Sequence, residues 1–328
     1  MKISLSEKEK KEWRSISKAL DASIEEASYW NDVLYGYVPK QEWMAMAKRL
    51  DPKDYTSDPY LKKVRPTPYK EGDVLLNYRE YKADEGFVYD EIRTSKRNYS
   101  EKTPFGYFEK DFPFLAIQKD KSTWMSVIPH EINTMKEPLS RMRGKTLILG
   151  LGLGYFAYMS LLKEDVSEVT VVENDPKIIA IFKSHILPFF PKDKKFEIKE
   201  GDAFEYLERD VAFESCFADL WHMPEDGLPL YLKLRKIEER KPDIAFSYWI
   251  EASMLALLRR ALIVLFDEAI EGEIDPSHYE KAATWSDRLV NALYQELKDI
   301  EINNMSDLRR YLDFDGLRRV ALLLSFEA

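Results

Sequence analysis

The sequence predicts an α/β chain: a doubly wound, mostly parallel sheet with helices on both faces, preceded by a helical segment and a small antiparallel β region. Three observations lead there. From Lys145 onward, short apolar segments alternate with helical patterns, as expected of parallel strands buried on both faces. The first of these segments ends in Gly150-Leu151-Gly152-Leu153-Gly154, a glycine turn between a strand and a helix. Upstream, the texture is instead helical at first and then aromatic and β-branched, with turn formers between the segments.

Residues 6–50 read as helices. Ser6 and Glu9 have the spacing of a capping box, and Trp43, Ala47 and Leu50 recur at helical spacing. Asp51-Pro52 and the prolines from Pro59 to Pro68 break that pattern. Residues 74–78, 87–89, 105–108, 114–117 and 124–128 read as strands of one small antiparallel sheet. The alternating part follows: strands at 146–149, 169–172, 196–198, 215–218 and 244–248, with helices between them. Asp175-Pro176 caps one helix, because Asp accepts free backbone N–H groups and Pro suits the first helical position. From Ala252 to the end the chain reads mostly as helix, and only residues 320–326 could supply a further strand. The expected division is 1–140, a helical and β extension forming a lid or substrate region, and 141–328, a ligand-binding domain with a helical C-terminus.

The chain has 328 residues, 45% hydrophobic and 33% charged, enough for a sizeable core. No run of about 18 apolar residues is present, so no membrane span is expected. The opening residues carry no signal-peptide core, and Cys216 is the only cysteine. A reducing cytoplasm is the expected compartment. His130, His185, His222 and His278 are scattered, so no metal site is expected. Net charge is +3 over residues 1–145 and −12 over residues 146–328. An acidic chain is a poor non-specific binder of nucleic acid. Arg93, Lys96, Arg97 and Lys102 could form a local basic patch, though a solvated loop is the simpler reading.

Four positions carry candidate chemistry. Gly150, Gly152 and Gly154 let the backbone approach a ligand at a helix N-terminus. A dinucleotide fingerprint would place its third glycine at Tyr155, so the spacing favours a nucleoside–amino-acid ligand over NAD. Glu173, ending the second parallel strand, can accept ribose hydroxyls. Asp202 and Ala203, after the third, can contact an adenine; Asp202 can equally cap the next helix. Asp219, after the fourth, can orient a substrate amine or act as a base if its environment raises its pKa. His222 is a second acid/base candidate, and Trp221 and Trp249 could wall a pocket or pack in the core.

Residues 145–245 resemble the nucleotide-binding domain of class I S-adenosylmethionine-dependent methyltransferases, and within them the spermidine/spermine synthase branch. The resemblance rests on Val169-Thr170-Val171-Val172-Glu173-Asn174-Asp175-Pro176, on Glu200-Gly201-Asp202-Ala203-Phe204-Glu205-Tyr206-Leu207, and on His130-Glu131 upstream. It implies a Rossmann-like fold, S-adenosylmethionine as cofactor, and methyl transfer to an unknown acceptor, with a small molecule favoured. Polyamine synthases carry acids where this chain has Leu153 and His222, and a tyrosine where it has Pro129. A buried cation without partners is costly, so aminopropyl transfer from decarboxylated cofactor is the alternative reading. A third is an inactive scaffold whose C-terminal helices serve a partner or a homodimer.

Overall fold

A computed structural model of the chain describes residues 1–209, 212–274 and 283–326; His278 lies outside the described residues. Glu7–Leu34 forms one long helix, opened by the expected Ser6/Glu9 capping box. Trp13, Ile16 and Leu20 line its buried face. The Trp13 indole donates to Asp267 at 2.7 Å, fixing this helix against the long helix Glu251–Glu271. The first residues, Lys2–Ile3, pair in parallel with Glu301–Ile302. A continuous core therefore runs from Trp13 through the sheet to Phe266 and Leu317.

The helical spacing of Trp43, Ala47 and Leu50 does not extend into a helix. Lys40–Trp43 makes one turn, and the chain then straightens so that Lys48–Arg49 pairs with Gly106 and Tyr107. Trp43 instead fills a small separate core, edge-on to Phe105, which itself stacks on Trp30 at 4.3 Å. The aromatic strands form two sheets rather than the single antiparallel sheet expected. Ser122–Ser126, Phe112–Lys119, Val74–Tyr81 and Tyr69–Glu71 make a four-stranded antiparallel sheet. Lys48–Arg49, Phe105–Tyr107 and Gly86–Val88 make a separate mixed one. The split follows the side chains: Phe105 packs toward the second small core, while Phe112, Phe114 and Ile117 belong to the main one.

The α/β expectation holds. Five parallel strands, Gly144–Leu149, Val166–Glu173, Lys195–Glu200, Ser215–Ala218 and Ala245–Tyr248, stand in the order third, second, first, fourth, fifth. The order reverses between the first and fourth strands, and a ligand crevice opens beyond the carboxyl ends at such a switch point. Residues 320–326 supply no further strand. Phe314–Leu323 is a helix with Leu317, Val320 and Ala321 buried at helical spacing. It helps close the sheet edge instead: Arg318 bridges to Glu238 at 2.7 Å and lies over the Tyr248 ring. Among the described residues no helix is long and apolar enough to cross a membrane.

Candidate active site

A cleft of about 640 Å³ opens at the switch point. Its rear wall is the glycine turn. Gly150 has φ +94°, and a Cβ there would sit 2.1 Å from the Asp219 carbonyl oxygen; only glycine allows the first and fourth strands to leave the sheet so close together. Gly152 has φ +51°, and a Cβ there would meet nothing within 4 Å, so its backbone is open to an incoming group. Gly154 caps the helix Tyr155–Leu161 and packs against Phe182. The N-terminal segment grips the same turn: the Tyr60 hydroxyl donates to the Leu153 carbonyl, and the Tyr155 hydroxyl donates to Asp58 at 3.0 Å.

Glu173 is more deeply committed than a strand-end acid would be. It is only 8% exposed. Its Oε1 accepts from the backbone of Asn174 at 2.8 Å and Asp175 at 2.9 Å, and its Oε2 from Leu151 at 3.0 Å. Roughly three of a carboxylate's four acceptor positions are thus engaged, which leaves about one for a ligand hydroxyl. Because the same carboxylate builds the turn, it lacks the free acceptor positions that the expected double hold on a ribose requires. Asp202 is exposed and caps Ala203–Glu208, its Oδ1 accepting from Phe204 at 2.8 Å and Glu205 at 2.9 Å. It also lines the cleft, with Ala203 and Phe204, so both roles read from the sequence are open to it.

Asp219 stands on the cleft floor. Burial, reinforced by the charge of Glu173, pushes its carboxyl up to about 7. Glu131, in the first turn of the helix Pro129–Arg141, faces the same space. Burial, together with the nearby Asp219 charge, holds it well above the usual carboxylate range. Glu131 belongs to the His130-Glu131 pair of the resemblance; by itself, an acid in the first turn behind Pro129 is what any helix start favours. Trp124, from the strand Ser122–Ser126, is a second lining residue that no motif marked.

His222 lines the cleft, but its Nε2 accepts from the Trp124 indole at 3.1 Å. In the neutral ring the proton is then on Nδ1, so His222 offers a donor rather than a base. Trp221 and Trp249 are both buried and both line the cleft. The Trp221 indole donates to the Trp249 carbonyl at 3.2 Å, and the Trp249 indole to Thr134 at 2.9 Å. Arg93, of the candidate basic patch, is paired with Asp90 at 3.0 Å. Among the described residues no three His, Cys, Asp or Glu side chains gather as a metal site would require.

No protein-family model and no curated protein matches the chain. Solved structures do. The crystal structure of spermidine synthase from Thermotoga maritima is similar at 14% identity and a TM-score of 0.32, over 52% of this chain and 67% of that one. A spermidine synthase in complex with the transition-state analogue AdoDATO gives the same identity and TM-score, over 52% and 68%. MnmC2 from Aquifex aeolicus is similar at 15% identity and a TM-score of 0.25, over 39% and 60%.

Proposed function

We propose that the chain binds S-adenosylmethionine in this cleft and transfers its methyl group to a small-molecule acceptor. The observation that carries the reading is the convergence, on one cleft at the sheet's switch point, of the open backbone at Gly152 with the carboxylates of Glu173, Asp202 and Asp219. The donor set fits the cofactor. Gly152 and its neighbours leave room for the methionine end, the free acceptor position of Glu173 suits one ribose hydroxyl, and the rim residues Asp202 and Ala203 suit an adenine. When bound, S-adenosylmethionine would supply an electrophilic methyl carbon to a nucleophile's lone pair, the carbon–sulfur bond breaking to leave the neutral thioether S-adenosylhomocysteine.

The chain's own residues supply alignment and a proton acceptor. Trp221 and Trp249 exclude water from the floor, which strengthens every polar interaction there. Asp219, at about 7, is divided between its two forms near neutral pH, the condition under which a general base works best. It is the group that takes the proton the acceptor loses. Glu131, raised well above the usual carboxylate range by burial and the nearby Asp219 charge, can donate a hydrogen bond to the acceptor beside it when it carries its proton. Turnover with an acceptor should then rise as pH passes through about 7, as the base form fills.

Calorimetric titration with S-adenosylhomocysteine tests the cofactor assignment, with NAD as the control. Saturable binding of the first without the second is expected. Silence with both, from folded protein, would sink the reading.

A further inference from the structure

The glycine turn behind the cleft is a segment with little shape of its own. Gly150, Gly152 and Gly154 all lie at positive φ, +94°, +51° and +75°, and glycine loses more conformational freedom on ordering than any other residue. Such a turn must be fixed from outside. Two side chains clamp it, one on each side of Gly152. On the entry side, Glu173 accepts from the Leu151 N–H at 3.0 Å. On the exit side, the Tyr60 hydroxyl donates to the Leu153 carbonyl. Gly152, between them, is the residue whose Cβ would meet nothing. The first clamp belongs to the parallel sheet, and the second comes from the N-terminal extension.

The second clamp is itself firmly seated. Tyr60 is fully buried, and its ring stands edge-on to Tyr155 at 5.5 Å and to Tyr158 at 5.4 Å. The Oδ1 of Asp58 accepts from the Tyr60 N–H at 2.8 Å, and its Oδ2 accepts from the Tyr155 hydroxyl at 3.0 Å. One carboxylate thus ties the start of Pro59–Lys63 to the start of Tyr155–Leu161, the helix that the turn opens. Phenylalanine at position 60 would fill the same space. What the hydroxyl adds is the bond to the Leu153 carbonyl, an acceptor in the buried interior that is costly to leave unpaired.

Building on the cofactor reading, we propose that Tyr60 is a positioning residue for S-adenosylmethionine: through the Leu153 carbonyl it holds the turn in its ligand-ready shape, so that docking of the extension and binding of the cofactor are coupled. The buried hydroxyl-to-carbonyl bond, one residue from the open backbone of Gly152, carries the assignment. A ligand that meets a turn already fixed avoids the entropy of ordering it. Coupling of this kind is reciprocal, so bound cofactor tightens the hold on the extension in return.

Tyr60→Phe removes the bond and leaves the ring. Tyr231→Phe is its control: it removes another buried hydroxyl, the donor to Glu251 at 2.7 Å, from a residue outside the cleft lining. Both variants should lose stability in urea. Calorimetric titration of the folded chains with S-adenosylhomocysteine should show affinity lowered about 3- to 10-fold in Tyr60→Phe, the net worth of one hydrogen bond, and unchanged within about two-fold in Tyr231→Phe. Amide exchange of the ligand-free chains gives a second readout. The Gly154 N–H closes the turn onto the Leu151 carbonyl at 2.8 Å. It should exchange about 3- to 10-fold faster in Tyr60→Phe than in Tyr231→Phe. Parent-like affinity in Tyr60→Phe, or an equal loss of affinity in both variants, overturns the proposal, because a purely structural tyrosine would lower stability alone. A parent chain that binds no S-adenosylhomocysteine overturns the cofactor reading and Tyr60's part in affinity with it; exchange at Gly154 then still decides whether Tyr60 holds the turn.

Discussion

Glu173 ends the second parallel strand and Asp219 follows the fourth, so the two carboxylates flank one glycine turn from opposite sides. Their loads differ. Glu173 accepts three backbone N–H groups and so shapes the turn. The Asp219 carboxylate accepts no hydrogen bond among the described residues, and burial with the Glu173 charge carries it up to about 7. Equivalent places in a doubly wound sheet can thus hold one acid that builds the site and one left free for chemistry. The building acid is satisfied by its three donors, and the other carries a raised pKa, the mark of a candidate functional acid.

The comparison breaks most sharply at Glu173. Glu173→Ala strands the buried backbone N–H of Leu151 and leaves those of Asn174 and Asp175, which lie nearer the surface, to water. One buried orphan costs about 1–3 kcal/mol, so a loss of that order is expected by urea unfolding, with cofactor affinity abolished. A variant as stable as the parent would show that the turn holds itself.

Asp219→Asn should act in the opposite direction. A carboxyl raised to about 7 in the folded chain binds more protons folded than unfolded between about pH 4 and 7, so its favourable contribution is present below about 4 and lost by about 7. The amide cannot ionise. At pH 8 the variant should therefore be more stable than the parent, on the order of 2 kcal/mol, and the gap should close at pH 4. Turnover should fall at least about 100-fold. A gap that does not change with pH would remove Asp219 from the role of proton acceptor.

Gly152→Ala gives the smallest change in stability. Its Cβ meets nothing, so only the left-handed backbone counts against it, about 1 kcal/mol. Cofactor affinity should nonetheless drop about 10-fold, because the methyl group sits where the ligand must pass. Equal loss of stability and no loss of affinity would mean that the ligand avoids the turn.

The regular part of the molecule was legible because its signals are local. Alternating apolar segments and helices from Lys145 give the five parallel strands, and Asp175-Pro176 caps its helix as read. The glycine turn, Glu173, Asp202 and Asp219 do meet in one cleft. What the sequence hid depends on distant partners. Trp43 leaves its helical register because Phe105, sixty residues away, offers a better surface. Residues 320–326 look like a strand by composition, but 320–323 end the helix Phe314–Leu323, in which Leu317 and Val320 share a buried face, and 324–326 lie beyond it. The double duty of Glu173 was invisible because its third partner, the Leu151 N–H, becomes available only once the turn has formed.

The pairing of Lys2–Ile3 with Glu301–Ile302 has a consequence for the order of events during synthesis. Lys2–Ile3 must wait for Glu301–Ile302, far along the chain, before their strand can form. The helix behind them waits as well, since Trp13 finds its partner only at Asp267. The parallel sheet, complete by Tyr248, can assemble while that amphipathic helix still has its apolar face uncovered. Closure of this long-range pairing is then a late, high-contact-order step, and before it the uncovered apolar face is open to aggregation and to chaperones.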